Sequence, residues 1–545
     1  MIRFNYWSTS VTGTALILAL PVFVIVANLF VPAGAVWDHL VETVLRDYVV
    51  NSLLLMVGVT LGTLVMGVGT AWLVTMTEFP GRRLFEWALL LPMAIPAYII
   101  AYTYTGMFDF AGPLQGALRE LTGWGYGDYW FPEIRSIEGA AIMLALVLYP
   151  YVYLLTRTAF IEQSLCVTEV SRSLGKGPWR TFYSVALPLA RPSIVAGLSL
   201  VLMETLADYG TVQYFGVSTF TTGIFRTWYG LDNAAAAAQL SAILLLFVFV
   251  LLSLERISRK QARYHHTGHK QQPIKRYPLH GWRSLFALFF CLGPLLFGFL
   301  LPAGQLGFWA VATFEDSVDG RFAELVLHSV GLAAAAAVLA LFLALLLGYG
   351  RRLRPTRPVR FAVRSAGLGY AVPGTVIAVG VVIPFGWFDN ALDSWMRAEF
   401  DISTGLLLSG TVAALLFAYM VRFLAVSLNA VETGLQRITP SMDEAAQSMG
   451  LRPLAILGRV HIPILKGSLL TALLLVFVDV LKELPATLIL RPFNFNTLAV
   501  RAYELAADER LADASAAALA IVVAGIVPVI LLSRSISRAR DHDAT

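Results

Sequence analysis

Four carboxylates stand inside apolar stretches of this chain of 545 residues: Glu204 and Asp208 in one, Asp479 and Glu483 in another. Within each pair the residues are four apart, and the second pair repeats the first at an offset of 275. In a helix this spacing puts both members of a pair on one face. Two like charges on one face are unfavourable in hydrocarbon, so each pair should turn toward protein, water or a passing cation. Carboxylates there can offer a cation weak oxygen ligands without making or breaking a covalent bond. The expectation is that Glu204, Asp208, Asp479 and Glu483 line a translocation pathway and that no residue is catalytic. Local neutralisation is the competing reading, because Lys482 adjoins Glu483. Lys482 aligns with Ala207, so the two sites would not be equivalent.

Helices that cross a bilayer must carry these acids. Hydrophobic residues make up 57% of the chain and charged ones 14%, against about 25% charged in a soluble protein. A soluble core could not absorb that surplus, so lipid must be the solvent for much of it. Apolar runs of spanning length fall near 12–32, 50–76, 85–107, 139–160, 192–213 and 235–254. A second set falls near 284–306, 327–349, 361–385, 405–427, 467–489 and 512–533. Only helices satisfy the backbone at such lengths in hydrocarbon. The expected fold class is therefore all-α, a polytopic membrane protein of about 12 transmembrane helices. Counted at about 1.5 Å per residue from position 192, Glu204 lies roughly 18 Å and Asp208 roughly 24 Å into a core about 30 Å thick. The first run, followed by Ala33-Gly34-Ala35, is too long for the core of a signal peptide and is read as an uncleaved first helix.

Basic residues set the direction of threading. Segment 256–283 holds Arg256, Arg259, Lys260, Arg263, Lys270, Lys275, Arg276 and Arg283 with no acid. Arg351, Arg352, Arg354, Arg357, Arg360 and Arg364 crowd another loop, Arg82 and Arg83 a third, and Arg534, Arg538 and Arg540 the tail. With twelve spans these share one side, and acids such as Asp38, Glu42, Asp109, Glu133, Glu315 and Asp319 share the other. The positive-inside rule then makes both termini cytoplasmic. This clustering accounts for the net charge of +5, so nucleic acid is not an expected partner. Cys166 and Cys291 have no oxidising-side partner and no disulfide is expected. His265, His266 and His269 would suit a metal by spacing, but no acid or cysteine completes a ligand set. Segment 256–283 is read as a solvated basic linker.

The linker joins two copies of one unit, 1–255 and 284–545. At the offset of 275, Glu169, Gly175 and Pro188 fall on Glu444, Gly450 and Pro463, and the register continues through Thr222 on Thr497 and Arg226 on Arg501. Earlier the offset is 277, with Ser52 on Ser329 and Ala94-Ile95-Pro96 on Ala371-Val372-Pro373. Six spans per copy make the copies parallel, with a pseudo-two-fold axis along the membrane normal and a pathway at their interface. The strongest repeat lies in cytoplasmic loops, 162–190 and 432–465. Each reads as a short amphipathic helix, a glycine able to turn left-handed, a second short segment and a proline opening the next span. Such a knob suits docking in a groove of another protein; lying on lipid is the plainer alternative.

Glu444-Ala445-Ala446, Gly450 and Ile462-Pro463 resemble the EAA signature of the permeases of binding-protein-dependent ABC importers. The first copy keeps Glu169, Gly175 and Leu187-Pro188 but has Val170-Ser171 for the alanines. The resemblance spans both halves and implies a type I importer fold with two parallel six-helix repeats in a bacterial inner membrane. It also implies two copies of a cytoplasmic ATPase subunit docked on the loops, and a periplasmic binding protein that delivers substrate. No G-x-x-x-x-G-K-[ST] occurs, so ATP is expected to be used by the partner subunits and no cofactor held by this chain. The strings Asp208–Gly216, Thr219–Arg226, Lys482–Thr487 and Arg491–Ala499 are similar to those of fused ferric-iron permeases, and parts of them to thiamine and polyamine permeases. Ferric iron prefers oxygen ligands, which Tyr98, Tyr102 and Tyr104 would also supply; interfacial anchoring is the other use of such tyrosines. Two alternatives remain: an ion-coupled secondary transporter, disfavoured because an ion gradient needs no docking knob, and a membrane scaffold or sensor without transport, which leaves the intramembrane acids unexplained.

Overall fold

Hydrocarbon requires every backbone N–H and C=O to be satisfied within the protein, and the computed structural model meets that demand with helices almost throughout. It describes residues 6–125, 127–162, 177–260, 276–436 and 438–542. Glu169, Gly175, Cys166 and the histidines 265, 266 and 269 lie outside the described residues. The first half runs α1 (Tyr6–Asn28), α2 (Leu45–Met76), α3 (Ala97–Phe108), α4 (Ile137–Glu162), α5 (Leu187–Ala207), α6 (Gly210–Tyr214) and α7 (Ala234–Lys260). The second runs α8 (Trp282–Ala312), α9 (Gly320–Leu353), α10 (Arg357–Ala366), α11 (Gly374–Phe400) and α12 (Val412–Gln436). It ends with α13 (Pro440–Ser448), α14 (Ile462–Leu481), α15 (Pro485–Leu490) and α16 (Leu511–His542).

Among the described residues eleven helices are long and apolar enough to span, and a bent pair, taken as one span, raises the number to 12. The chain is an all-α polytopic membrane protein. Prolines redraw two of the expected spans. The run 85–107 is bent by 89° between Arg82–Ala94 and Ala97–Thr122, because Ile95 before Pro96 is pushed into an extended conformation. The run 361–385 divides before Pro373, where Val372 is likewise extended. Its first part becomes the separate helix α10, with Val359, Val363 and Ala366 buried and Arg357, Arg360 and Arg364 exposed. The span itself is α11, which begins and ends later than the apolar run suggested.

The helices gather into two compact units, each drawing on both halves of the sequence. One contains residues 1–39, 224–245 and 319–501. In it α9, α12 and α14 pack on one another, and α1 lies against α10 and α11. Gly380 of α11 comes so near α1 that a Cβ there would meet the Pro21 carbonyl oxygen at 2.6 Å. The other unit contains residues 40–223, 246–318 and 502–545. There α2 packs along α4, α5 against both, and α16 against α8 and the turn at 91–94. A Cβ on Gly62 of α2 would lie 2.7 Å from the Ala145 Cβ of α4. This is the small-residue contact by which helices approach closely where lipid gives them no hydrophobic reason to do so.

Candidate functional site

Each acid pair sits where its helix breaks. The four-apart geometry expected of a continuous helix does not hold, because α5 stops at Ala207 and α14 at Leu481. The carboxylates at 208 and 483 instead receive the N–H groups of the next short helix, a favourable arrangement for a negative charge. Asp208 accepts from the Thr211 hydroxyl at 3.0 Å and from the Val212 amide at 3.1 Å. Glu483 accepts from the amides of Ala486 and Thr487, each at 3.1 Å, and from the Thr487 hydroxyl at 2.8 Å. The aligned positions thus do the same local work, opening α6 and α15.

Their charges are balanced differently. Glu483 is buried at 4% exposure and lies 3.5 Å from the Arg422 guanidinium of α12. Asp479 is held by Lys482 at 2.9 Å, so the lysine weighed above as the partner of Glu483 pairs with the other acid instead. Among the described residues neither Glu204 nor Asp208 forms an ion pair, and both are half-buried. The sequence reading missed Arg422, a buried arginine well inside an apolar run; its isolation there was the available signal. Of the tyrosines, Tyr104 donates to the Phe297 carbonyl at 2.6 Å, while Tyr98 and Tyr102 are buried. No group of three or more His, Cys, Asp or Glu suited to a metal occurs among the described residues.

The second repeated loop is built as a helix with a left-handed stop. Pro440 opens α13. At the other end Gly450 has φ +80°, its amide bonds the Gln447 carbonyl at 2.9 Å, and the Leu451 amide bonds the Ala446 carbonyl at 3.2 Å. This is the Schellman arrangement, in which glycine avoids the Cβ clash of a positive φ. Ala446 faces inward, while Glu444, Ala445, Met449 and Leu454 are exposed. Pro463 lies in the first turn of α14, and Pro188 in the first turn of α5. Behind the knob, Asp443 meets Arg352 of α9 at 2.8 Å and the buried His461 at 2.6 Å. The sequence reading had counted Arg352 only as a topological charge and had passed over Asp443 and His461.

Residues 63–263 match the family model described as the binding-protein-dependent transport system inner membrane component. The Fe(3+)-transport system permease protein FbpB 2 of Haemophilus influenzae is 26% identical over 488 residues, which is 89% of this chain and 89% of that protein. The molybdenum transport system permease protein ModB of Escherichia coli is 27% identical over 210 residues, 37% of this chain and 89% of its own length. The sulfate transport system permease protein CysT of Escherichia coli is 26% identical over 270 residues, 47% of this chain and 92% of its own length. The shorter relatives cover less than half of the chain and the longer one runs through both halves, so this multi-pass membrane protein is similar to permeases of the binding-protein-dependent ABC importers that carry two transmembrane domains in one chain.

Proposed function

We propose that the solute is ferric iron, released by a periplasmic binding protein and moved inward while two ATPase subunits act on the loops 162–190 and 432–465, both termini being cytoplasmic. The observation that carries this reading is the likeness to FbpB 2 along 89% of both chains. The acids favour the same choice. Glu204 and Asp208 would repel an oxyanion such as molybdate or sulfate and attract a hard cation. Docking on α13 is supported by its exposed Glu444 and Met449, a charge beside apolar surface at the tip of a stiff turn. An oxyanion substrate is the second reading, favoured by the molybdenum and sulfate relatives.

The test is uptake into proteoliposomes holding the permease, its ATPase subunits and the partner binding protein. Ferric iron should enter, while molybdate, sulfate, thiamine and polyamines should not. Molybdate uptake equal to that of iron would overturn the assignment. Within this reading Glu204 has the larger role of the two acids four residues before a capping carboxylate, because the charge of Asp479 is already answered by Lys482. Glu204→Gln should lower iron uptake about tenfold, the effect of losing one interaction of about 1.4 kcal/mol. Asp479→Asn should lower it less. Membrane levels and ATPase binding should stay normal in both. Unchanged uptake by the Glu204→Gln permease would remove this residue from the pathway.

A further inference from the structure

We propose that Arg352, Asp443 and His461 form a clasp that fastens the second docking helix to α9, so that the chain couples to its two ATPase subunits unequally. The proposal rests on the reading that α13 is an ATPase dock. One guanidinium gathers three separate segments. Its Nε donates to Asp443 at 2.8 Å, in the first turn of α13. One terminal nitrogen donates to the Leu435 carbonyl at the end of α12, at 2.7 Å. The other donates to the Ile438 carbonyl of the intervening loop at 2.8 Å. A planar fork with several donors suits such a junction, whereas lysine would not reproduce it.

The far end of the loop closes on the same carboxylate. His461, fully buried just before α14, meets Asp443 through Nε2 at 2.6 Å. Tyr349, one turn before Arg352 on α9, packs edge-on against the His461 ring at 5.3 Å and donates to the Pro453 carbonyl at 2.7 Å. The loop is therefore tied at its start, at its helix and at its end to one spanning helix. A charge-assisted network of this kind is stiffer than its separate contacts. Displacement of α13 by a partner must be carried into α9.

The first copy lacks every charged member of the clasp. At the register of the repeat, Arg352 falls on Thr75, Tyr349 on Trp72, Asp443 on Thr168 and His461 on Ala186. Trp72 is packed instead by aromatic rings, with Phe160 at 5.5 Å and Phe182 at 4.8 Å. At these aligned positions the second copy has directional ion pairs, whereas Trp72 of the first has ring contacts.

The test uses the full-length permease with its ATPase subunits in proteoliposomes, and iron-loaded binding protein as the stimulus. Asp443→Asn keeps the shape of the side chain and removes the charge. It should speed hydrogen exchange of amides 441–449 by about tenfold or more. It should also raise the ATP hydrolysed per iron imported by about tenfold, the scale of one strong interaction lost. Adding Arg352→Gln should cost less than the sum of the two single changes, since both act on one network. His461→Gln, which keeps a donor at that position, should stay near the parent, whereas His461→Leu should follow Asp443→Asn. Thr168→Ala should change nothing. Unaltered exchange and an unaltered ATP-to-iron ratio in both Asp443→Asn and His461→Leu would overturn the clasp. If Asp443→Asn does not accumulate, His461→Leu carries the same two readouts. If exchange quickens while cysteines beside Glu444 fail to crosslink to the ATPase, the clasp stands and the docking reading falls.

Discussion

Arg422→Leu should destabilise the permease by about 3–5 kcal/mol, the cost of leaving a buried charge without its partner. Glu483 is 4% exposed and Arg422 8% exposed, and the two lie 3.5 Å apart. Gly374 borders them, and a Cβ there would lie 2.7 Å from the Glu483 carboxylate, so the backbone of α11 leaves room for the pair. The carboxylate keeps its amide and hydroxyl donors from Ala486 and Thr487 in the variant, but these alone do not balance a full charge in an apolar interior. Adding Glu483→Gln should recover much of the loss, because the neutral amide still accepts while the buried charge is gone. Thermal unfolding of the purified permease in detergent measures both. A single variant as stable as the parent, or a double variant worse than the single one, would contradict the ion-pair account.

Gly450→Val should leave membrane insertion intact and cut solute uptake by about tenfold or more. Nothing lies within 4 Å of a Cβ at this position, so space is not the obstacle. Conformation is. At φ +80° an ordinary L-residue meets a penalty of roughly 1–2 kcal/mol, and a β-branched one is a worse fit still. The turn would relax and rotate Met449 and Glu444 away from the surface they present. Gly450→Asn is the control, since asparagine visits this region with little strain. The comparison to make is uptake and ATP hydrolysis for both variants at equal membrane level. Normal uptake by Gly450→Val would count against a coupling role for the turn, and equal failure of Gly450→Asn would show that something other than backbone conformation is at stake.

Hydropathy alone was enough to read the helical class and the approximate number of spans, because lipid solubility is a property each segment carries by itself. Gly450 was legible for a similar reason: a glycine six residues after Glu444 ends a helix by local geometry. The breaks at Asp208 and Glu483 were not, although both acids had been singled out. Whether a carboxylate continues a helix or caps the next depends on a balance of one or two hydrogen bonds, and hydropathy is silent on that balance. The bends at Pro96 and Pro373 were overridden by the length of the apolar runs around them.

Tertiary packing decided the rest. Arg422 and Glu483 are 61 residues apart in sequence, and only the contact of α12 with the α14–α15 break makes one neutralise the other. Arg352 carries the same charge as its neighbours in an arginine-rich loop, and its reach to Leu435, Ile438 and Asp443 exists only because α9 ends beside α12 and α13. Likewise, nothing in the composition of α1 announces that it packs on α10 and α11 of the other half. An apolar helix is equally soluble beside any neighbour in lipid, so its place is set by shape, small residues and paired polar groups, which appear only when the helices are together.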